Sequence, residues 1–494
     1  MAALMIQGCG SDVGKSVLVA GLCRLFTNRG IAVRPFKSQN MSNNAAVTPD
    51  GGEIGRAQAL QARACRTIPT VDMNPVLLKP QTDVGAQLIV RGRMAGNLDA
   101  SAHGRQDKRA LLDLAVESYR RLEQDAQLMI VEGAGSPAET NLRAHDIANM
   151  GLAQVLGLPV VLVGDIDRGH VIASLVGAHV VLEPADRALI RGFIVNKFRG
   201  NAALFEDGLR RITEHTGWRS IGVVPWLRAA GRLPSEDGMQ LEQLRKSRSS
   251  GVPLKVVVPQ LSRIANFDEF DPLREEPGVD LMYVAPGRPL PLDASLIVIP
   301  GTKATIADME FMREQGWDID ILAHVRHGGA VLGICGGYQM LGTSISDPDG
   351  VEGVPRTVPG LGLLDVKTVM TGAKTLREVA GVLVGGGAGG TGAVPFAGYE
   401  MHVGSTTGPG AVRPFLRFTD GTDDGAVSPD GRVAGCYVHG LFGLTAARAA
   451  LISSIGATPG NDDHSARVDS SLDEIAGVLE RCLDVGALAA IAGL

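Results

Sequence analysis

Short, almost wholly apolar runs ending in glycine or a polar residue constrain the fold of this chain more than any other feature. In the first half they are Leu4 to Gln7, Leu128 to Val131, Pro159 to Val163 and Gly192 to Val195, separated by amphipathic segments. Such a run is a strand buried on both faces, and its repetition with helical spacers builds βαβ units on a doubly wound parallel sheet. The pattern breaks after Pro225, and from Leu227 to Gly251 the chain is charged and small, which predicts an exposed linker. It resumes in Leu254 to Val258, Leu281 to Val284, Ser295 to Ile299 and Ala330 to Ile334. A chain of 494 residues is also too long for one compact core. The expected fold is α/β with two α/β domains: residues 1–228, a linker over 229–251, a second domain over 252–449 and a helical segment over 450–494. In that segment Leu472, Ile475, Val478, Leu479 and Cys482 recur at helical spacing and predict a packing helix. The run Gly385 to Gly392 has nothing to bury against its backbone entropy and reads as a loop without chemistry.

Composition excludes several classes of function. A formal charge of -6 with acids and bases interspersed leaves no basic stripe, so nucleic acid is not an expected partner, while small acidic molecules are not excluded. The six cysteines are scattered without CxxC pairs, which argues against a zinc site or a disulfide framework and for a reducing cytoplasm. The first residues carry no charged leader and reach a glycine turn by Gly8, and no span of about 20 apolar residues follows. The expectation is a cytoplasmic protein with no membrane partner.

Gly8-Cys9-Gly10-Ser11-Asp12-Val13-Gly14-Lys15-Ser16 follows one of the strands and opens a helix, the context of a phosphate-cradling loop. Gly10, Asp12, Val13 and Gly14 would present backbone amides, Lys15 would neutralise phosphate oxygens, and the Ser16 hydroxyl would ligate Mg²⁺. The strict GxxxxGK[ST] pattern has glycine where this chain has Cys9, so the spacing fits the looser loop of the dethiobiotin synthetase type. Other strand ends of the same sheet deliver Glu132, a second candidate Mg²⁺ ligand, then Asp165 and Asp167, then Asn196 and Lys197, placed to meet a nucleotide base. Lys37, in a loop dense with amides, fits a contact to phosphate or to an amide-bearing ligand, or a solvated turn. Asp146 fits either a site carboxylate or a helix N-cap.

In the second half, Ala330 to Met340 runs an apolar strand through Cys335-Gly336-Gly337 into a helix. Small residues allow a sharp turn that exposes one thiol, and the helix N-terminus favours its thiolate. His439, at another strand end, is the expected base, with His402 as a rival. The amide of Gly336 and one near Thr302, in Pro300-Gly301-Thr302-Lys303, are the expected oxyanion donors.

The runs Gly10 to Ser16, Lys37 to Asn44, Val131 to Pro137, Gly164 to Gly169, Asn196 to Gly200, Gly333 to Met340, Gly398 to Gly404 and Tyr437 to Phe442 resemble the cobyric acid synthase family over nearly the whole chain. The resemblance implies an N-terminal P-loop ATP-binding amidoligase domain like dethiobiotin synthetase and a C-terminal class I type glutaminase. By position it implies Cys335 as nucleophile and His439 as base. It also implies ATP and Mg²⁺ with no prosthetic group, and glutamine and a corrinoid as substrates. The reaction it implies is amidation of the b, d, e and g carboxylates of adenosylcobyrinic acid a,c-diamide. Asp146, Asp165 and Asp167 are then candidates for the place where a carboxylate is activated. Cys9 and His170 depart from the residues usual in the family, and the Gly385 run looks like an insertion. Triad glutaminases place an acid two residues after the histidine; here that residue is Leu441, so something else must orient His439. Three rival readings are a cobyrinic acid a,c-diamide synthase, a partitioning-type P-loop switch ATPase with an inactive glutaminase-like module, and a plain cysteine hydrolase. The last leaves Lys15 and Glu132 unexplained.

Overall fold

Strand Ala2–Gly8 is held inside a six-stranded sheet whose order is Arg219–Pro225, Ile190–Phe198, Val160–Asp165, Ala2–Gly8, Leu128–Glu132, Val33–Phe36. Every neighbouring pair is parallel, as runs apolar on both faces require. Gly8 lies opposite Val163, Ile6 opposite Glu132 and Asp165 opposite Asn196, so their carboxyl ends share one edge. The computed structural model describes residues 1–80, 85–99, 108–234, 254–385 and 393–494.

The second domain has a sheet ordered Val279–Val284, Leu254–Pro259, Leu296–Ile299, Ala330–Ile334, Val433–Cys436, Ala426–Val427, parallel except for the last pair. Each apolar run singled out in the sequence forms a strand here or in the first sheet. Two further features lie between the domains. Residues 39–99 contribute a sheet of Gln39–Met41, Val76–Pro80, Gly85–Val90 and Arg93–Asp99, and a hairpin of Ala45–Thr48 and Gly52–Gly55. The second domain extends a long hairpin, Lys367–Leu383 with Val394–Thr407. Ala45, Val47, Leu77 and Ile89 pack with Met401 of that hairpin in one buried apolar seam.

The end of the chain corrects the expected segmentation. Helix Thr445–Ser454 buries Ala447 and Ile452 in the core of the second domain. Helices His464–Cys482 and Val485–Ala492 instead join the core of the first, where Leu472, Ile475, Leu479 and Leu488 pack with residues of Lys15–Asn28. The packing is close enough that a Cβ on Gly21 would lie 2.6 Å from both Ile475 and Leu479. The linker also begins later than expected: Ala229 and Leu233 are buried in the same core, because this turn docks on the returning helix. The remainder of the linker from residue 235, and the glycine run from 386 to 392, lie outside the described residues. Among the described residues no helix is long and apolar enough to cross a membrane.

Truncating Leu479, fully buried at this junction, to alanine should cost about 2–5 kcal/mol through lost burial and the cavity left behind. Thermal or denaturant unfolding should show the loss in the transition of the first domain, although the residue lies near the opposite end of the chain.

Candidate functional site

The first candidate site is built on the carboxyl edge of the N-terminal sheet. The turn after Ala2–Gly8 places Asp12 at φ 57° and Gly14 at φ 91°, and helix Lys15–Asn28 starts directly after it. Gly14 must be glycine on two counts, since a Cβ would also lie 2.4 Å from Asn196 Nδ2. Asn196 Nδ2 donates to the Val13 carbonyl at 2.8 Å, and Lys197 Nζ bonds the Asp12 carbonyl and lies 2.9 Å from Asp165 Oδ2. Lys15 Nζ donates to the carbonyls of Gly10 at 2.9 Å and Gly135 at 3.1 Å. The Cys9 amide pairs with Val163, and burial, against the opposing charge of Lys15, pushes its thiol up to about 12.

Glu132 is the hub of this edge. Its Oε1 accepts from Ser16 Oγ and from Lys37 Nζ, both at 2.8 Å, and its Oε2 accepts from Gln61 Nε2. Burial works against its charge, but Lys37, then Gln61 and Ser16, outweigh it and keep its pKa low. Ser16 Oγ and a Glu132 oxygen side by side are hard donors of the kind Mg²⁺ takes together with phosphate oxygens. Lys37 is thus part of this site rather than a solvated turn. Asp146 is a cap: Oδ1 accepts from the amides of Ala148 and Asn149 at 2.8 Å, and Oδ2 from Gly151 at 2.9 Å. Asp167 is exposed and pairs with Arg199 at 2.6 Å.

The second site lies at the turn between Ala330–Ile334 and Gly336–Leu341, where Cys335 adopts φ 52°, ψ −109°. A positive φ costs a residue with a Cβ about 1–3 kcal/mol and persists only where surroundings enforce it. Here the Cys335 amide is fixed to the Cys436 carbonyl at 2.8 Å. Gly337 lets the turn press on the neighbouring strand, since a Cβ there would lie 2.0 Å from the Ile299 carbonyl oxygen. Thr302 backs on the turn: a Gly336 Cβ would lie 3.2 Å from Thr302 N. The two expected oxyanion amides therefore belong to adjoining segments. The Thr302 hydroxyl is held by Asp308 and accepts from Ala304 N at 3.1 Å.

The Cys335 thiol donates to the Met401 carbonyl at 3.7 Å, and its sulfur lies near enough to His439 to favour a proton on the ring. His439 is buried, and its Nδ1 is 3.0 Å from Glu269 Oε1, while Glu269 Oε2 accepts from the Gly440 amide at 3.1 Å. Burial alone opposes a proton on this ring, but Glu269 and then the Cys335 sulfur outweigh it and raise the His439 pKa to about 10. The arrangement can hold a thiolate beside an imidazolium, attack a carbonyl carbon and return a proton to a departing amine. Tyr399 stacks on the other side of the ring, with centroids 5.3 Å apart and planes at 19°.

His402 lines the same cavity as Cys335, with its ring stacked on Tyr437 at 3.7 Å between centroids. Glu269 was missed by reasoning from sequence, which looked for an acid after His439. Its one signal is the run Phe267-Asp268-Glu269-Phe270, two carboxylates bracketed by aromatic residues, all four buried.

Residues 4–240 match the CobQ/CobB/MinD/ParA nucleotide binding domain, and residues 255–447 match the CobB/CobQ-like glutamine amidotransferase domain. The cobyric acid synthase of Caulobacter sp. (strain K31) is 64% identical over 494 residues, covering 100% of both chains. That of Rhizorhabdus wittichii is 60% identical over 492 residues, covering 100% of this chain and 99% of the relative. That of Methylorubrum populi is 59% identical over 486 residues, covering 98% of each. The chain belongs to the cobyric acid synthase family and is a glutamine-dependent carbon–nitrogen ligase.

Proposed function

We propose that the protein uses ATP and glutamine to amidate the b, d, e and g carboxylates of adenosylcobyrinic acid a,c-diamide, giving adenosylcobyric acid. The observation that carries this reading is Gln87, which belongs to the nucleotide-binding half yet lines the cavity of Cys335. A glutaminase walled partly by a ligase domain is built to deliver ammonia inward.

In the glutaminase, the Cys335 thiolate attacks the side-chain carbonyl carbon of glutamine. The amides of Gly336 and Thr302 take the charge on oxygen. His439 passes its proton to the departing nitrogen, ammonia leaves, and water hydrolyses the thioester to glutamate. In the other domain a corrinoid carboxylate attacks the γ-phosphorus of ATP and ADP departs. Ammonia then displaces phosphate from the acyl phosphate. ATP is required because a free carboxylate is a poor acyl donor. Lys15 and the loop from Gly10 to Gly14 hold the phosphates, Lys37 keeps Glu132 ionised, and Asn196 and Lys197 brace the loop from the strand two places along the sheet. Ser16 and Glu132 would hold Mg²⁺, which neutralises phosphate charge when bound. The bonding of Asp146 supports its reading as a helix cap; Asp165, which braces Lys197, and Asp167, paired with Arg199, lie on the edge where the carboxylate would be activated.

Product mass after incubation with ATP and heavy-nitrogen glutamine tests the substrate directly. Uptake by the a,c-diamide at the four remaining carboxylates is expected; uptake only by unamidated cobyrinic acid, at a and c, would assign the rival synthase activity. Cys335→Ala should abolish glutamine-dependent turnover, by at least about a thousandfold, while amidation from added ammonia survives. Loss of both would argue against separable sites. Glu269→Gln should lower glutaminase kcat by about 10²–10⁴-fold, as loss of an orienting carboxylate does elsewhere. Because Glu269 raises the His439 pKa, its removal must lower it, so the alkaline limb of the glutaminase pH profile should move to lower pH.

A further inference from the structure

Helix Arg56–Ala64 belongs to the nucleotide-binding domain, yet its first side chain reaches the glutaminase. Arg56 Nη2 donates to the Tyr399 hydroxyl at 2.8 Å, and Arg56 Nε is 2.8 Å from Asp268 Oδ2, an ion pair without the alignment of a hydrogen bond. Tyr399 is the ring stacked on His439 and also its partner across the strand pair. Asp268 immediately precedes Glu269, which holds the other side of His439. One guanidinium therefore grips one support of the histidine, Tyr399, and the carboxylate next to the other. It is pre-organised for that task, because a planar fork can serve two acceptors with little loss of side-chain freedom per contact.

The same segment reaches the ligase site. Gln61, five residues along the helix, donates to Glu132 Oε2 and lies 3.4 Å from the Ser16 carbonyl oxygen. Glu53, three residues before Arg56, is buried in ion pairs with Lys79 and with Lys374, and Lys374 lines the Cys335 cavity. Residues 53–61 thus touch the acid of the nucleotide site, the wall of the glutaminase cavity, the Tyr399 support of His439 and the neighbour of Glu269. From Arg56 to Gln61 the connection is helical, a rise of only about 7.5 Å.

We propose that Arg56 is a positioning residue of the glutaminase supplied by the ligase domain, and that helix Arg56–Ala64 ties the geometry of His439 to the nucleotide site. Without Arg56 the glutaminase retains Cys335, His439 and Glu269 but loses the brace that sets the imidazole against the sulfur. The effect falls on the rate of glutamine cleavage rather than on glutamine binding. This inference rests on the assignment of Cys335 and His439 as the glutamine-cleaving pair.

The test compares wild type, Cys335→Ala, Arg56→Gln, Tyr399→Phe and the Arg56→Gln/Tyr399→Phe double variant, each as the full chain. Glutaminase kcat and KM are measured with and without Mg²⁺ and a non-hydrolysable ATP analogue, and ammonia-dependent amidation serves as the folding control. Arg56→Gln should lower glutaminase kcat by about 10- to 100-fold, the size expected of a small misplacement of a catalytic group. KM for glutamine should move less than about threefold, as befits an interaction expressed in the transition state. Any response of kcat to the analogue in wild type should be lost. Tyr399→Phe keeps the ring and removes the acceptor, so the double variant should be little worse than Arg56→Gln alone, the non-additivity of groups acting through one contact. An unchanged kcat in Arg56→Gln, additive losses in the double variant, or a parallel fall in ammonia-dependent amidation would overturn the proposal. Glutaminase activity persisting in Cys335→Ala would instead overturn the underlying site assignment.

Discussion

A histidine–carboxylate pair with almost no exposure to solvent is the constraint around which the glutaminase half is arranged. The side chains of His439 and Glu269 are 2% and 1% exposed. Either charge left alone there would lose hydration worth several kcal/mol, so each is tenable only because the other is present and its remaining hydrogen-bonding capacity is filled. The Gly440 amide takes the second Glu269 oxygen, and the Cys335 sulfur favours the ring's proton electrostatically. Gly301 is glycine because a Cβ would lie 2.7 Å from His439 Cε1. Strand order delivers these groups: the Cys335 turn and His439 follow adjoining strand ends, and Glu269 comes from a short helical turn packed over both.

The parallel sheets were legible because they are written locally. A run such as Leu128-Met129-Ile130-Val131-Glu132 states both its burial and the polar group it delivers at its end. The Cys335 elbow was legible for the same reason, its two flanking glycines being adjacent in the chain. What stayed hidden depends on contacts distant in sequence. Glu269 is 170 positions from His439, and no periodicity marks it. The short strands of residues 39–99 carry buried polar residues such as Asn40, Gln87 and Lys79, which disguise strands as an amide-rich loop. Gln87 lines the Cys335 cavity and Lys79 reaches Met401 across the domain boundary, whereas Asn40 is paired with Gln58 of its own domain.

The C-terminal helix shows the same division. Its apolar stripe predicts that it packs, and it does, but a stripe carries no address. The address lies on the partner, where Gly21 admits Ile475 and Leu479, and where Arg24, almost fully buried, meets Asp469 at 2.6 Å. By returning to the first core, the chain makes the glutaminase an insertion between two parts of one nucleotide-binding unit. Such a domain is tethered at both ends, which restricts its swing far more than a single linker would.

That double tether bears on ammonia transfer. Neutral ammonia released into solvent is protonated at physiological pH and loses its nucleophilicity, so the proposed mechanism requires the two sites to stay in register while glutamine is cleaved. A domain held by one flexible connection depends on its interface alone for that register. Here the interface combines the apolar seam around Met401, the buried charges of Glu53, Lys79 and Lys374, and the Arg56 contacts to Tyr399 and Asp268. Buried ion pairs contribute little net stability compared with apolar packing, but they penalise every misaligned arrangement heavily, because a shift of one side chain strands a charge without water. The seam supplies adhesion and the charges supply alignment, and the Cys335 cavity lies where the two meet.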